Sequence, residues 1–472
     1  MRRARITIQL VALAGFIFLV FVNSYPRGFF YPVDLFMRLD PYSSVIAMLA
    51  SRRFVWALAP SLAVLASTLI VGRAFCGYFC PLGTMLDCWS RLFRLRSKPI
   101  RHKRLADLKY LILLGTLAAA AFGFTLVHFA DPITIAERSG VFVIRKAVSG
   151  ILQAVGGLVP ALGTLLEDRF YYLGLLFALL FGVLLLLEVV NRRFWCRHFC
   201  PLGALLSLPA RAARLRRRVI GCEGTDICKG ACVFGVIGEN PATTRQGECT
   251  LCARCRPVCP HKAISFGAGP AEAEKVSLGR RAVVASLAAG LAVGVIPGGR
   301  GLSKTPRRPP IRPPGALPED RFLAACTRCG ACIGACLTGG LQPAFLQVGF
   351  EGMWTPVLVG RLGGCEAECN LCGKVCNTQA IRYMPLEEKK KLKLGKAVIE
   401  RDLCVAWKEE RSCYLCDEVC PYGAISLVIG EGATIDKPGV LPDKCTGCGL
   451  CEWKCPVDPP AIYVTPLEVE TS

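Results

Sequence analysis

The sequence predicts two kinds of structure in one chain, an α-helical membrane domain in the first half and small cysteine-rich α+β domains in the second. Three observations carry this expectation. Apolar runs close to span length recur through the first 190 residues. Two copies of C-x3-C-P-L-G punctuate that half. Sixteen of the 28 cysteines then fall into four groups of four between Cys326 and Cys455.

Composition narrows the classes of function. A chain of 472 residues has room for roughly two to four folded units. Hydrophobic residues make up 53% and mean hydropathy is +0.44, so membrane spans are expected. The net charge of +22 comes from 57 basic and 35 acidic residues. Beside apolar spans such arginine clusters mark cytoplasmic loops, and no nucleic-acid partner is expected. Only four histidines occur and no C-x-x-C-H, which excludes covalent c-type haem. Neither G-x-G-x-x-G nor a P-loop is present, which argues against nicotinamide and nucleotide sites. Repeated C-x2-C spacing favours metal over disulfides.

Residues 1–218 form the membrane half. Four apolar runs, Ile6–Val22, Phe54–Val71, Leu108–Val127 and Phe170–Val190, approach the ~20 residues a helix needs to cross ~30 Å of hydrocarbon. Basic residues gather at the N-terminus, in the loop Gly72–Asp107 and after the fourth run. Those segments are expected in the cytoplasm of a cell whose inner membrane holds the chain.

The half reads as a duplicated two-helix unit. Asp40-Pro41 and Asp131-Pro132 match across the copies, and so do Cys76-x3-Cys80-Pro and Cys196-x3-Cys200-Pro. The second copy carries an insert around Val141–Asp168, read as an interfacial helix. Brought together, Cys76, Cys80, Cys196 and Cys200 offer four thiolates, enough for one membrane-proximal metal centre. A redox dithiol or plain structural cysteines are the alternative. His128, Asp131 and Asp40 are candidates for handling the protons of a quinol. The alternative there is helix capping by the Asp-Pro pairs and an interfacial histidine.

Residues 219–268 form a first small module. Cys249-x2-Cys252-x2-Cys255-x3-Cys259-Pro is the spacing with which ferredoxins hold [4Fe–4S] clusters, the fourth cysteine serving the neighbouring cluster. Cys249, Cys252, Cys255 and Cys232 would then hold one cube. Cys222, Cys228 and Cys259 leave a second centre with three thiolates, because Thr225 stands where a cysteine is expected. That set suits a [3Fe–4S] cluster, a cube whose fourth iron takes a ligand such as Asp226, or an empty site.

Residues 277–318 join the halves. Arg280-Arg281 precede a Gly/Ala-rich run, Ala282–Ile296, and then a Pro-rich spacer. Twin arginines before such a run resemble a twin-arginine export signal, here retained as a fifth anchor. Basic residues beyond it favour the alternative, a linker that stays cytoplasmic.

Residues 319–472 carry four motifs: Cys326, Cys329, Cys332, Cys336; Cys365, Cys369, Cys372, Cys376; Cys404, Cys413, Cys416, Cys420; and Cys445, Cys448, Cys451, Cys455. The first and last have the three-plus-one ferredoxin spacing, so four [4Fe–4S] clusters in an α+β ferredoxin-like domain are expected over four-thiolate zinc. Short apolar segments after the motifs, such as Ala424–Val428 and Ala461–Val464, read as closing strands.

Ala325-Cys-Thr-Arg-Cys-Gly330, the Cys404–Trp407–Cys413 segment and Asp443-Lys-Cys-Thr-Gly-Cys-Gly449 make residues 320–465 resemble NapG, the exported four-cluster ferredoxin-type family of periplasmic nitrate reduction. Residues 1–268 are similar to its partner family NapH, through the paired C-x3-C-P motifs and the cytoplasmic ferredoxin module. The resemblance to a NapH–NapG fusion implies a quinol dehydrogenase-type component, with electrons passing from quinol through the C-x3-C-P centre to a periplasmic molybdoenzyme or cytochrome. It places the N-terminus in the cytoplasm and the C-terminal domain in the periplasm. It further implies that the first motif pairs with the fourth and the second with the third, so that Cys455 completes the cube of Cys326, Cys329 and Cys332. Two rival readings remain, an assembly factor supplying electrons to a maturing metalloenzyme and a cytoplasm-facing subunit of a dehydrogenase.

Overall fold

The computed structural model describes residues 2–22, 33–95, 103–156, 169–222, 224, 226–269, 278–298, 310–429 and 435–467. Thr225, much of the Pro-rich spacer and the end of the Val141–Asp168 insert lie outside them.

The first half is a helix bundle. Its long helices are Arg2–Val22, Ala59–Val71, Lys103–Ala121 and Gly174–Val190, one for each apolar run. Among the described residues, Arg3–Val22 alone is both long and apolar enough to cross a membrane; Trp56–Val71 and Gly174–Val190 are apolar but shorter. The third run begins with a charged turn, Lys103 to Lys109, which lowers its hydropathy.

Four shorter helices each begin at a proline and run into the bundle: Pro41–Ser51, Pro81–Leu92, Pro132–Ser139 and Pro201–Ala210. Proline suits the first turn, since the amide it lacks would have had no partner there. The residue ahead of each proline is pushed to extended backbone. Those capping residues are Asp40, Cys80, Asp131 and Cys200, so the repeat places two carboxylates and two thiols at helix N-termini. Leu82, Leu86, Leu202 and Leu206 are fully buried on the two cysteine-capped helices. The insert after Ser139 continues as one π turn, Gly140–Ile144, and a helix, Arg145–Gly156.

Two iron–sulfur-type modules pack at opposite ends of this bundle. The helix Lys103–Ala121 shows it. Near its start, Lys109 and Tyr110 bond Glu248 of the 219–268 module. Just past its end, the Thr125 carbonyl accepts from Arg328 of the C-terminal domain at 3.0 Å. Arg145 likewise donates to the Gly334 carbonyl at 2.9 Å, and Tyr172 N–H to Gln342 at 3.1 Å.

Arg280–Gly298 is one helix of 19 residues, about 28 Å long at 1.5 Å per residue. It lies along Lys103–Ala121 through small residues. A Cβ on Gly290 would sit 2.2 Å from the Gly115 carbonyl, so only glycine allows that approach.

In the 219–268 module, strand Leu215–Val219 pairs antiparallel with Ile264–Ala268. The C-terminal domain has three further antiparallel pairs, Leu341–Pro343 with Pro356–Leu358, Gly395–Ile399 with Ile462–Pro466, and Ile425–Ile429 with Asp436–Val440. The strands expected after the third and fourth motifs are present; Ile381 forms only an isolated bridge with Ala316.

Candidate functional site

The four C-x3-C-P cysteines converge. Cys76, Cys80, Cys196 and Cys200 are all buried and stand within electrostatic reach of one another. Burial and the neighbouring thiols push the Cys80 and Cys200 thiols well up. As thiolates the four would need a cation to balance them, and an iron–sulfur cube would supply that charge. The Gly203 amide donates to Cys200 Sγ at 3.2 Å, as expected at a helix N-terminus.

Two arginines that the motif reading passed over complete this centre. Arg73 and Arg193 each stand three residues ahead of the first cysteine of their own repeat, and each reaches across to the other. A Cβ on Gly83 would lie 2.0 Å from Arg193 Nη1, and one on Gly203 would lie 2.6 Å from Arg73 Nη2. Glycine in C-P-L-G is therefore room for the opposite arginine. Both guanidiniums lie over the Phe234 ring, at 5.9 and 5.7 Å. Arg193 also approaches Cys196 Sγ at 3.9 Å.

Each arginine is held by a buried carboxylate. Asp87 takes Arg193 at 3.0 Å and Arg254 at 3.1 Å. Glu248 takes Arg73, Lys109 and Tyr110. Burial alone would raise the Glu248 carboxyl, but Lys109 and Arg73 outweigh it and bring it down to about 2. The repeated R-x2-C was the signal that could have found both arginines; the carboxylates gave none.

The four cysteines expected to hold the first cube of the 219–268 module also lie about one cavity. Cys232, Cys249, Cys252 and Cys255 line it with Arg217 and Phe234. It lies against the C-x3-C-P centre, because Gly77 packs on Thr250 and Tyr78 donates to the Leu251 carbonyl at 3.0 Å. Cys222, Cys228 and Cys259 gather at a second place. Cys222 is exposed there, and Asp226 is turned to Lys229 at 2.7 Å.

In the C-terminal domain the pairing differs from the one implied by the resemblance. Cys376, not Cys455, is the fourth thiol beside Cys326, Cys329 and Cys332. Cys336 stands with Cys365, Cys369 and Cys372. Cys455 lines a small cavity with Cys404, Cys413 and Cys416. Cys420 lines another with Cys445, Cys448 and Cys451. The first motif thus pairs with the second and the third with the fourth. Adjacent motifs close shorter loops, and the domain becomes two local halves. In three of these sets the swapped cysteine accepts a backbone amide at 3.3 Å: Cys376 from Ile381, Cys420 from Ala424 and Cys455 from Ala461. Such bonds fix thiolate ligands and tune a cluster.

The halves meet where the Cys365 amide donates to the Cys448 carbonyl at 2.7 Å. The four sets therefore run in order away from the bundle: Cys326 set, Cys365 set, Cys445 set, Cys404 set. Gly330 and Gly334, inside the first motif, rest on Phe142 and Val141 of the helical half.

The family model described as "4Fe-4S binding domain" matches residues 53–99 and 173–221, each stretch taking in one C-x3-C-P pair. A second, "4Fe-4S dicluster domain", matches residues 411–458. Methylamine utilization ferredoxin-type protein MauM of Methylorubrum extorquens is 41% identical over 167 residues, 34% of this chain and 74% of the relative. Ferredoxin-type protein NapG of Escherichia coli is 37% identical over 168 residues, 34% of this chain and 71% of the relative. The chain belongs to the NapG and MauM family of ferredoxin-type proteins. It is an iron–sulfur electron-transfer protein of that type. A longer match, 25% identical over 263 residues, covers 53% of this chain and 90% of an uncharacterized protein of Methanocaldococcus jannaschii. No solved structure matches.

For a ferredoxin-type chain the far end of the bundle is the less expected part. Asp40 and Asp131 are completely buried and cap their helices, accepting from Tyr42 N–H at 3.0 Å and Thr134 N–H at 2.6 Å. Their remaining oxygens meet, so burial and each other's charge push the Asp40 carboxyl well up. The capping alternative holds for both. His128 is buried inside the protein, 1% exposed, and burial, then Arg328 and Arg138, push its ring well below the usual histidine value. It lines an apolar cavity of about 180 Å³ with Arg138, Phe177, Trp195 and Trp354. Trp354 comes from the C-terminal domain, and nothing in its local sequence marks it.

Proposed function

We propose that this chain is a NapH–NapG-like fusion that takes electrons from a membrane quinol and relays them to a redox partner on the far side of the membrane. The helical half would be the four-span quinol-handling domain, with the 219–268 module in the cytoplasm and the C-terminal domain in the periplasm. One observation carries this reading. Cysteine sets sit at both ends of a single helix bundle, and the 28 Å helix Arg280–Gly298 lies along it between the modules. That length matches the ~30 Å hydrocarbon layer, and its twin arginines fit an export signal kept as an anchor.

The cysteine sets would hold one-electron carriers. Up to seven centres are implied: four in the C-terminal domain, one at the C-x3-C-P pairs and one or two in the 219–268 module. The sets in line from Cys326 to Cys404 suit export of electrons to a molybdoenzyme or cytochrome. His128, neutral and buried, suits acceptance of a quinol proton.

The test uses membrane vesicles holding the whole chain. Added quinol should produce the paramagnetic signal of reduced clusters, and a reporter fused after Ser472 should be active only in the periplasm. Reporter activity in the cytoplasm, or clusters that quinol leaves oxidised, overturns the reading.

A further inference from the structure

We propose that the cavity between the Pro132 helix, the helix Gly174–Val190 and Trp354 is the seat of the quinol head group, built jointly by the helical half and the ferredoxin-type domain. Arg138 is the group that holds a ring oxygen there. The inference rests on the quinol reading and specifies its site.

The cavity is small, about 180 Å³, and its walls are mostly apolar, as in small-molecule sites. Phe177 and Trp354 line it beside the place of an aromatic head, and Leu180, Val183 and Leu187 continue along one side of the helix, where an isoprenoid tail could lie. The helix carries this wall from the Trp354 end to Trp195, next to Cys196.

The polar groups decide the ligand's chemistry. Both ring nitrogens of His128, Nε and Nη1 of Arg138, and Nε1 of Trp354 are buried without a partner among the described residues. An unsatisfied buried donor costs roughly 1–3 kcal/mol, and a charged one more, so several around one cavity are a structural liability unless a ligand visits. All but one nitrogen of a neutral histidine are donors. The fitting ligand is therefore apolar and flat with oxygen acceptors at its edge, and one of its two hydroxyls can donate to the remaining nitrogen. A quinol head has that pattern.

Arg138 is preset for the role. Its Nη2 donates to the His128 carbonyl, and its guanidinium stacks 4.6 Å from the Trp354 ring and 5.6 Å from Phe177. Nε and Nη1 are left over for a ligand. Its charge also lies within reach of Cys329, in the C-terminal set nearest the bundle. Because Trp354 closes the cavity, the seat exists only when the C-terminal domain is docked.

The experiment measures binding, not turnover. The purified full chain in nanodiscs is titrated with a naphthoquinone carrying a short isoprenoid tail, read by calorimetry and by quenching of tryptophan fluorescence, with iron content as the check on folding. Arg138→Gln should weaken binding at least ten-fold, and Trp354→Phe should remove the share of quenching that Trp354 contributes, leaving that of Trp195, while iron content stays level. Leu184→Phe, which fills the cavity from its wall, should block binding and covers the case in which Arg138→Gln does not fold. Unchanged affinity in both Arg138→Gln and Leu184→Phe overturns the seat and leaves the quinol reading standing. Failure of the wild type to bind the quinone, with no cluster reduced by quinol, overturns both.

Discussion

The two ends of the helix bundle handle buried charge in opposite ways. At the C-x3-C-P end the two arginines of the repeat each have a carboxylate: Arg193 shares Asp87 with Arg254, and Arg73 is held by Glu248. The glycines of both repeats are shaped to the guanidiniums. At the His128 end Arg138, His128 and Trp354 keep unpaired nitrogens around an apolar space. A set of thiols locked among balanced charges suits a resident cofactor. Donors kept without partners suit a ligand that comes and goes. The difference assigns permanence to one end and exchange to the other, and substitutions can break it.

The largest effect is expected where four thiols share one centre. Cys196→Ala should remove that centre's iron, roughly four atoms per chain for a cube, while the C-terminal clusters stay intact. Iron analysis with electron paramagnetic resonance reads it. Unchanged iron would mean that the pairs are structural thiols.

Next comes Asp87→Asn, which leaves the fully buried Arg193 without its charge partner. Losing one member of a buried pair costs about 3–5 kcal/mol, seen as a lower unfolding midpoint in detergent. Burial would raise the Asp87 carboxyl, but Arg193 and Arg254 outweigh it and hold it well below the carboxylate range. Its contribution is therefore full above its ordinary value of 3.8 and is lost as pH falls below that. The wild type should show this acid-dependent loss, and the variant a shallower one.

Gly83→Ala should be milder. The added methyl meets Arg193, which cannot swing away while Asp87 holds it, so a cost of about 1–3 kcal/mol is expected. Gly203→Ala, with more room before Arg73, should cost less. Gly182→Ala, which meets nothing within 4 Å on an exposed helix, serves as the control and should be neutral or slightly stabilising. Equal effects at all three positions would dissolve the crossed-arginine arrangement.

The two ends also differed in how far the sequence disclosed them. Cysteine spacing is local, so every set from Cys249 onward was legible, and the repeat pointed to Cys76, Cys80, Cys196 and Cys200 as one group. Spacing does not say which neighbour lends the fourth thiol, and the Cys376 and Cys455 pairings came from tertiary packing. Arg73 and Arg193 were visible as repeat-matched residues but carry no metal-ligand signature. The exchange end was almost silent. His128 stood out only as an ionisable residue at the far end of a span, and Trp354 reaches the cavity from 226 residues further along the chain. Apolar runs were visible as well, yet the runs alone did not show that Pro41, Pro81, Pro132 and Pro201 start helices that plunge into the bundle.

The smallest effect should fall at the exchange end, and its smallness is the point. His128→Phe keeps the ring contacts with Phe129 at 4.0 Å and Trp354 at 5.3 Å while removing two nitrogens that bond nothing among the described residues. Replacing an unsatisfied polar group by an apolar one of similar shape is close to neutral, so stability at neutral pH should change by less than about 1 kcal/mol. Because burial lowers the His128 value from 6.5, the unfolded chain takes up a proton there first, and the wild type loses stability as pH falls below 6.5. The variant should lack that loss. A penalty near that of Asp87→Asn would mean that His128 is bonded as firmly as the arginines at the other end, and the contrast between resident and visiting ligand would fail.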